Sequence, residues 1–144
     1  MAFDPVADYP LGTRRPDLVR TPSGLALDEL TLDALRSGRL EPTDLRATAE
    51  TLWRQGEIAR AAGRAELAAN LYRAAELTAL PDEVILDLYT ALRPHRSTAA
   101  ELEAWAERLE REFGASLTAS FVRDAAGVYA TRNLLSRDER AETV

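Results

Sequence analysis

The stretch RAELAANLYRAAELTALPDEVILDLYTALRPHRST, residues 64–98, decides the fold class. Leu67, Ala68, Leu71, Ala74, Ala75 and Thr78 recur at helical spacing until Pro81 interrupts them. Apolar residues three and four apart share one face of a helix, so this pattern predicts an amphipathic helix. Pro81 suits the first turn of a following helix, where its missing amide would have no intrahelical partner. Val84, Ile85, Leu88, Tyr89 and Leu92 then form the expected inward face of that second helix. Pro94 ends it, and Ser97 or Thr98 is placed to cap the next.

Outward from this centre the punctuation stays helical. LTLDALRSGRL, residues 30–40, reads as a short helix capped at Thr31 and stopped by Gly38. Thr48 caps AETLWRQGEIARAAG, residues 49–63, with Leu52, Trp53, Ile58, Ala59 and Ala62 toward one side and Gly63 as its end. Gly56 inside that helix costs about 1 kcal/mol against alanine, so the helix calls for tertiary support. TAAELEAWAERLEREFG, residues 98–114, turns Leu102, Trp105, Ala106, Leu109 and Phe113 inward and stops at Gly114. A last helix is expected over 115–135, with Leu117, Phe121, Ala125, Val128 and Leu135 on its inward side. No run of alternating β-branched residues occurs. The expectation is an all-α, compact subunit of about five to six helices over 27–135, followed by a polar tail over 136–144.

Residues 1–26 differ in character. Pro5, Pro10, Pro16 and Pro22 fall among Phe3, Tyr9, Leu11 and Val19. Spaced prolines remove amide donors and disfavour helix in the residue before each, which predicts an extended arm.

Composition narrows the function. The chain has 144 residues, one domain's worth, and a formal net charge of -6, which argues against nucleic acid as a partner. All 18 cationic residues are arginine, and without lysine there is no Schiff-base chemistry. The absence of cysteine removes disulfides and thiolate chemistry. There is no apolar run of membrane-spanning length and no secretory signal pattern at MAFDPVADYP, so a cytoplasmic protein is expected.

The single histidine, His95, lies between Arg93 and Arg96 and precedes Ser97 and Thr98. A nucleophile and base need an orienting partner and an oxyanion pocket, and neither is identifiable here. The hydroxyls fit helix capping at once, so the octapeptide ALRPHRST reads as a corner between helices. No glycine pair forms a phosphate-cradling loop. Glu101, Glu103, Glu107, Glu110 and Glu112 share their helix with arginines and read as a solvated face. GRAELAANLYRAAELTALPDE has the look of half a helical repeat, yet no second copy follows at a 34-residue period. On the residues alone two readings stand: a subunit of a larger assembly, or a stand-alone helical adaptor.

Four stretches together resemble one family, the small subunit of adenosylcobalamin-dependent diol and glycerol dehydratases. They are DYPLGTRRP at 8–16, AGRAELAANLYRAAELTALPDEVILDLYTALRPHRST at 62–98, EL at 101–102 and FVRDAAGVYATRNLL at 121–135. Within the family pattern, His95 stands where an aromatic ring is usual, Leu71 replaces a phenylalanine, Thr90 an asparagine, and Gly56 an alanine. The resemblance implies an enzyme of large, medium and small subunits, a dimer of such trimers, converting vicinal diols to aldehydes and water. It implies that substrate lies in the large subunit and that adenosylcobalamin belongs to the assembled holoenzyme rather than to this chain alone. No catalytic, cofactor or metal residue is then expected here, and the chain supports the catalytic subunit. Some members carry a longer N-terminal extension tied to enclosure in a protein microcompartment; this start, close to DYPL, carries no such signal. The expected contacts with partner subunits are Tyr9, Pro10 and Leu11 in the arm, and Arg93, Pro94 and Arg96 at the corner.

Overall fold

The structure, a computed structural model, describes residues 2–136. The tail expected over 136–144 therefore lies, apart from Ser136, outside the described residues. The chain divides into two compact units, Met1–Thr78 and Ala79–Val144. All seven α-helices and three 3-10 turns fall among the described residues, which contain no strand, only an isolated bridge between Arg20 and Ala26. The all-α expectation is met. Among the described residues no helix is long and apolar enough to cross a membrane.

In the N-terminal unit the proline-spaced segment is more folded than the extended arm expected for 1–26. Pro10 precedes a one-turn helix α1 (Leu11–Arg14), and Pro16 opens a 3-10 turn, Pro16–Leu18. The physical reason is positional: proline's fixed φ and missing amide disfavour helix before it but suit the first turn after it. Polar contacts tie the segment down. Arg15 donates to Asp8 at 3.1 Å and to Asp17 at 2.9 Å, while Arg54 Nη1 donates to the Leu18 carbonyl at 2.8 Å.

Two short elements follow, a 3-10 turn at Leu27–Glu29 and α2 (Leu32–Arg36). Thr31 caps α2 by accepting from the Ala34 amide at 3.1 Å, as its position predicts. Pro42 then opens a 3-10 turn, Pro42–Leu45. Its buried Asp44 accepts from the amides of Ser23 (3.3 Å) and Glu41 (3.0 Å), joining two loops.

The unit's main packing is a hairpin of α3 (Ala49–Ala61) and α4 (Ala65–Leu77). Thr48 caps α3 through the Thr51 amide, and the chain reverses through Gly63. Ala59, Ala68 and Ala75 are buried, so small residues let the helices approach closely. Gly56 belongs to the same contact. A Cβ built there would meet the Tyr72 ring at 2.4 Å. That ring packs against Trp53 with centroids 4.4 Å apart and donates its hydroxyl to Glu57.

In the C-terminal unit α5 (Asp82–Ala91) has Pro81 as its N-cap, one residue earlier than a first-turn position. Next comes α6 (Ala99–Phe113), with a reciprocal cap: Thr98 Oγ1 accepts from the Glu101 amide while the Glu101 carboxylate accepts from the Thr98 amide. Gly114 (φ 65°) supplies the left-handed residue that lets the Ala115 amide reach the Leu109 carbonyl at 3.0 Å. Then α7 runs Ser116–Thr131, four residues short of the expected end at Leu135.

Leu102, Ala106 and Leu109 of α6, with Ala119 and Val122 of α7, have no solvent exposure and form this unit's centre. The expected face of α6 is thus realised. The expected face of α7 is not: Leu117, Phe121 and Val128 are exposed, and Thr118, Ala119 and Val122 are buried instead. Apolar residues run most of the way round α7, so periodicity leaves its orientation open. Packing close to α6 selects the face with smaller side chains. On α5, Val84 and Leu88 are buried as expected, but Tyr89 is 71% exposed.

Across α6 and α7, Arg123 forms a fork, Nε to Glu103 at 2.8 Å and Nη1 and Nη2 to Glu110 at 2.8 and 3.0 Å. Hydrogen bonding from Arg123 holds the Glu110 carboxyl below its ordinary value of 4.5. A lowered folded value means the fork's stabilisation is whole above pH 4.5 and fades as pH falls through the folded value. Arg123→Gln should therefore be less stable than the parent near neutrality, with the difference shrinking toward about pH 3 in denaturant melts. A pH-independent difference would contradict this role for the fork.

Candidate functional site

The residues singled out by sequence lie in different units: Tyr9, Pro10 and Leu11 in the first, Arg93, Pro94 and Arg96 in the second. In the first, Leu11 is buried in its own chain at 7% exposure, whereas Tyr9 is 61% exposed and Pro10 is exposed. Burial of Leu11 and the Arg15–Asp8 pair fix the backbone beneath Tyr9, so the ring is presented from an ordered segment. Beside it, Pro5, Val6, Tyr9, Leu11, Ile58 and Leu67 line an open apolar groove of about 600 Å³. Val6 is itself 73% exposed.

In the second unit the corner is built by backbone closure. The His95 amide donates to the Leu134 carbonyl at 2.7 Å, and the Ser136 amide donates to the Ser97 carbonyl at 2.9 Å. The buried Ser97 hydroxyl donates to the Ala91 carbonyl at 2.9 Å, and the Tyr129 hydroxyl donates to the Leu92 carbonyl. His95 takes φ 61° in the left-handed region, as does Asn133 at 55°. Arg93, Pro94, His95 and Arg96 all face solvent. Ser97 and Thr98 close the corner and start α6, which is what their capping chemistry predicts, and the octapeptide's geometry is that of a helix connection.

Sequence reasoning missed part of the exposed apolar surface because it assigned those side chains to the core. Tyr89 on α5, and Leu117, Phe121 and Val128 on α7, face outward, and Leu86 on α5 is 65% exposed. Single exposed apolar residues are ordinary, but several on neighbouring elements of a small chain mark surface suited to a protein partner. The one available signal was that both helices carry more apolar residues than one buried face can take.

Chemically, this surface offers aromatic and aliphatic side chains, a stiffened cationic corner and arginine–carboxylate forks. Among the described residues no group of three or more His, Cys, Asp and Glu side chains converges to hold a metal ion. The arrangement suits binding to another protein.

Comparison with known proteins agrees with that reading. Residues 5–136 match the profile of the dehydratase small subunit family. The chain is 48% identical over 134 residues to the propanediol dehydratase small subunit of Salmonella typhimurium, covering 93% of this chain and 78% of that protein. It stands at the same identity and coverage to the propanediol dehydratase small subunit of Citrobacter freundii.

Proposed function

Since this chain belongs to the dehydratase small subunit family, we propose that it is the non-catalytic small subunit of a propanediol-type dehydratase, supporting a large catalytic subunit in converting vicinal diols to aldehydes and water. The observation that carries this reading is the near full-length likeness to two propanediol dehydratase small subunits. Membership of a subunit family displaces the stand-alone adaptor.

The partners are a large and a medium subunit, assembled as a dimer of heterotrimers in the cytoplasm, with the diol held by the large subunit. Adenosylcobalamin serves the holoenzyme, supplying radical chemistry through its weak cobalt–carbon bond. The residues of this chain do not fit that cofactor: its one histidine sits on an exposed corner, and the groove of the first unit is lined mainly by aliphatic side chains. The chain's own residues therefore hold and cover a partner. Tyr9 and Pro10 make the arm's contact with the large subunit, with Leu11 anchoring them from within, and Arg93, Pro94 and Arg96 make a second contact. Exposed apolar side chains on an otherwise acidic protein support this reading, because stable subunit interfaces bury such surface.

Co-expression with the large and medium subunits tests it. A tag on this chain should retain the large subunit through purification, and Tyr9→Ala should reduce that retention by about tenfold, as loss of a buried aromatic contact does. Recovery of this chain alone, free of any large subunit, would refute the assignment.

A further inference from the structure

Resting on the reading as a dehydratase small subunit, we propose that the Arg93–Arg96 corner is an ion-pairing contact that seats on a carboxylate-bearing patch of the large subunit. The chain is acidic overall, and seven of its arginines pair with its own carboxylates: Arg15, Arg36, Arg54, Arg60, Arg108, Arg111 and Arg123. Arg93 and Arg96 are exposed and make no ion pair with any described residue. Arg132 adds a further cation in the segment behind them, two residues before the Leu134 carbonyl that receives the His95 amide. The result is a local concentration of positive charge on a protein of the opposite sign.

The corner is also held rigid. His95 sits in a conformation that side chains other than glycine rarely adopt, and it keeps it because the surrounding backbone over-determines it. The amides of His95 and Ser136, the Ser97 hydroxyl and the Tyr129 hydroxyl close the loop from three sides, the Arg96 amide donates to Arg93, and Pro94 restricts what remains. A loop fixed before binding loses less freedom on binding. Guanidinium groups on a fixed backbone suit carboxylates, whose two oxygens match the arginine fork. Backbone strain at a capping corner has no need of two flanking cations, whereas an electrostatic dock uses both.

The test employs the assembled complex. The parent chain, Arg93→Glu with Arg96→Glu, Arg93→Lys with Arg96→Lys, and the single control Arg39→Glu at an exposed position of the other unit are each co-expressed with the large and medium subunits. The fraction of small subunit retained is read by size-exclusion chromatography at rising NaCl, alongside the melting temperature of each variant alone. The parent should be shed progressively as salt rises. The double glutamate variant should be retained about tenfold less at low salt, the double lysine variant should fall between, and Arg39→Glu should match the parent. If the parent is retained and the double glutamate variant follows the same salt curve, the corner is not an ionic contact. A lowered melting temperature with an unchanged salt curve would show the arginines serving this chain's own carboxylates, and would equally overturn the proposal. Failure of the parent itself to be retained at any salt would instead remove the subunit reading on which it rests.

Discussion

Leu109→Ala is expected to lower the stability of the C-terminal unit by about 2–5 kcal/mol, the largest single-residue effect in the chain. Leu109 has no solvent exposure and lies with Leu102, Ala106, Ala119 and Val122, also fully buried, at the centre of that unit. Truncation removes the transfer free energy of the lost methyl groups and leaves a cavity. Neighbouring Ala106 and Ala119 have no side-chain length with which to fill it. Domain stabilities run to about 5–15 kcal/mol, so the loss would be a large fraction of the whole. Urea melts followed by helical circular dichroism measure it. Leu86→Ala, at a position 65% exposed, is the control and should change little in the isolated chain. A loss below about 1 kcal/mol for Leu109→Ala would mean that α6 is not the central helix of its unit.

The second large effect runs against helix propensity. Gly56 lies within α3, and exchange of a mid-helix glycine for alanine ordinarily stabilises by about 0.5–1 kcal/mol. Here the added methyl would lie 2.4 Å from the Tyr72 ring, inside any tolerable contact. The ring cannot withdraw freely, because it packs against Trp53 and its hydroxyl is committed to Glu57. Overpacking of this kind costs about 1–3 kcal/mol, so Gly56→Ala should be net destabilising. Combining it with Tyr72→Leu should make the alanine favourable again relative to the Tyr72→Leu parent, since the obstructing ring is gone. A more stable single Gly56→Ala variant would show that the α3–α4 hairpin can spread at no cost. The family resemblance gives alanine at this position as usual, and the close Tyr72 contact explains why glycine stands here.

Much of the helical organisation was legible in local chemistry. Thr31, Thr48 and Thr98 each cap the helix that their position predicts, and Gly114 stops α6 through a left-handed residue. Such signals act over one turn and do not depend on what packs alongside. Which way a helix faces is a tertiary matter, and there local reading fell short. Along α7 the residues Leu117, Phe121 and Val128 offered a plausible inward stripe, but packing chose Thr118, Ala119 and Val122. Tyr89 on α5 was likewise placed inward and faces solvent. Both departures put apolar side chains on the surface, as expected where part of a chain's hydrophobic surface is meant for a partner. In the N-terminal segment the prolines were read as excluding helix, while Pro10 and Pro16 each precede or begin a short helical turn. At the corner, nothing in ALRPHRST signals that His95 adopts a left-handed conformation; that follows from the Leu134 carbonyl reaching its amide from the distant end of the unit.

The most direct measurement is turnover with and without this chain. The large and medium subunits, the small subunit alone and the complete set are each supplied with adenosylcobalamin and 1,2-propanediol, and aldehyde formation is followed. The account predicts full rate only for the complete set, none for the small subunit by itself, and a loss of assembled complex when it is omitted. Aldehyde formation by this chain alone, or an unchanged rate and yield in its absence, would contradict the claim that it acts by supporting a catalytic partner.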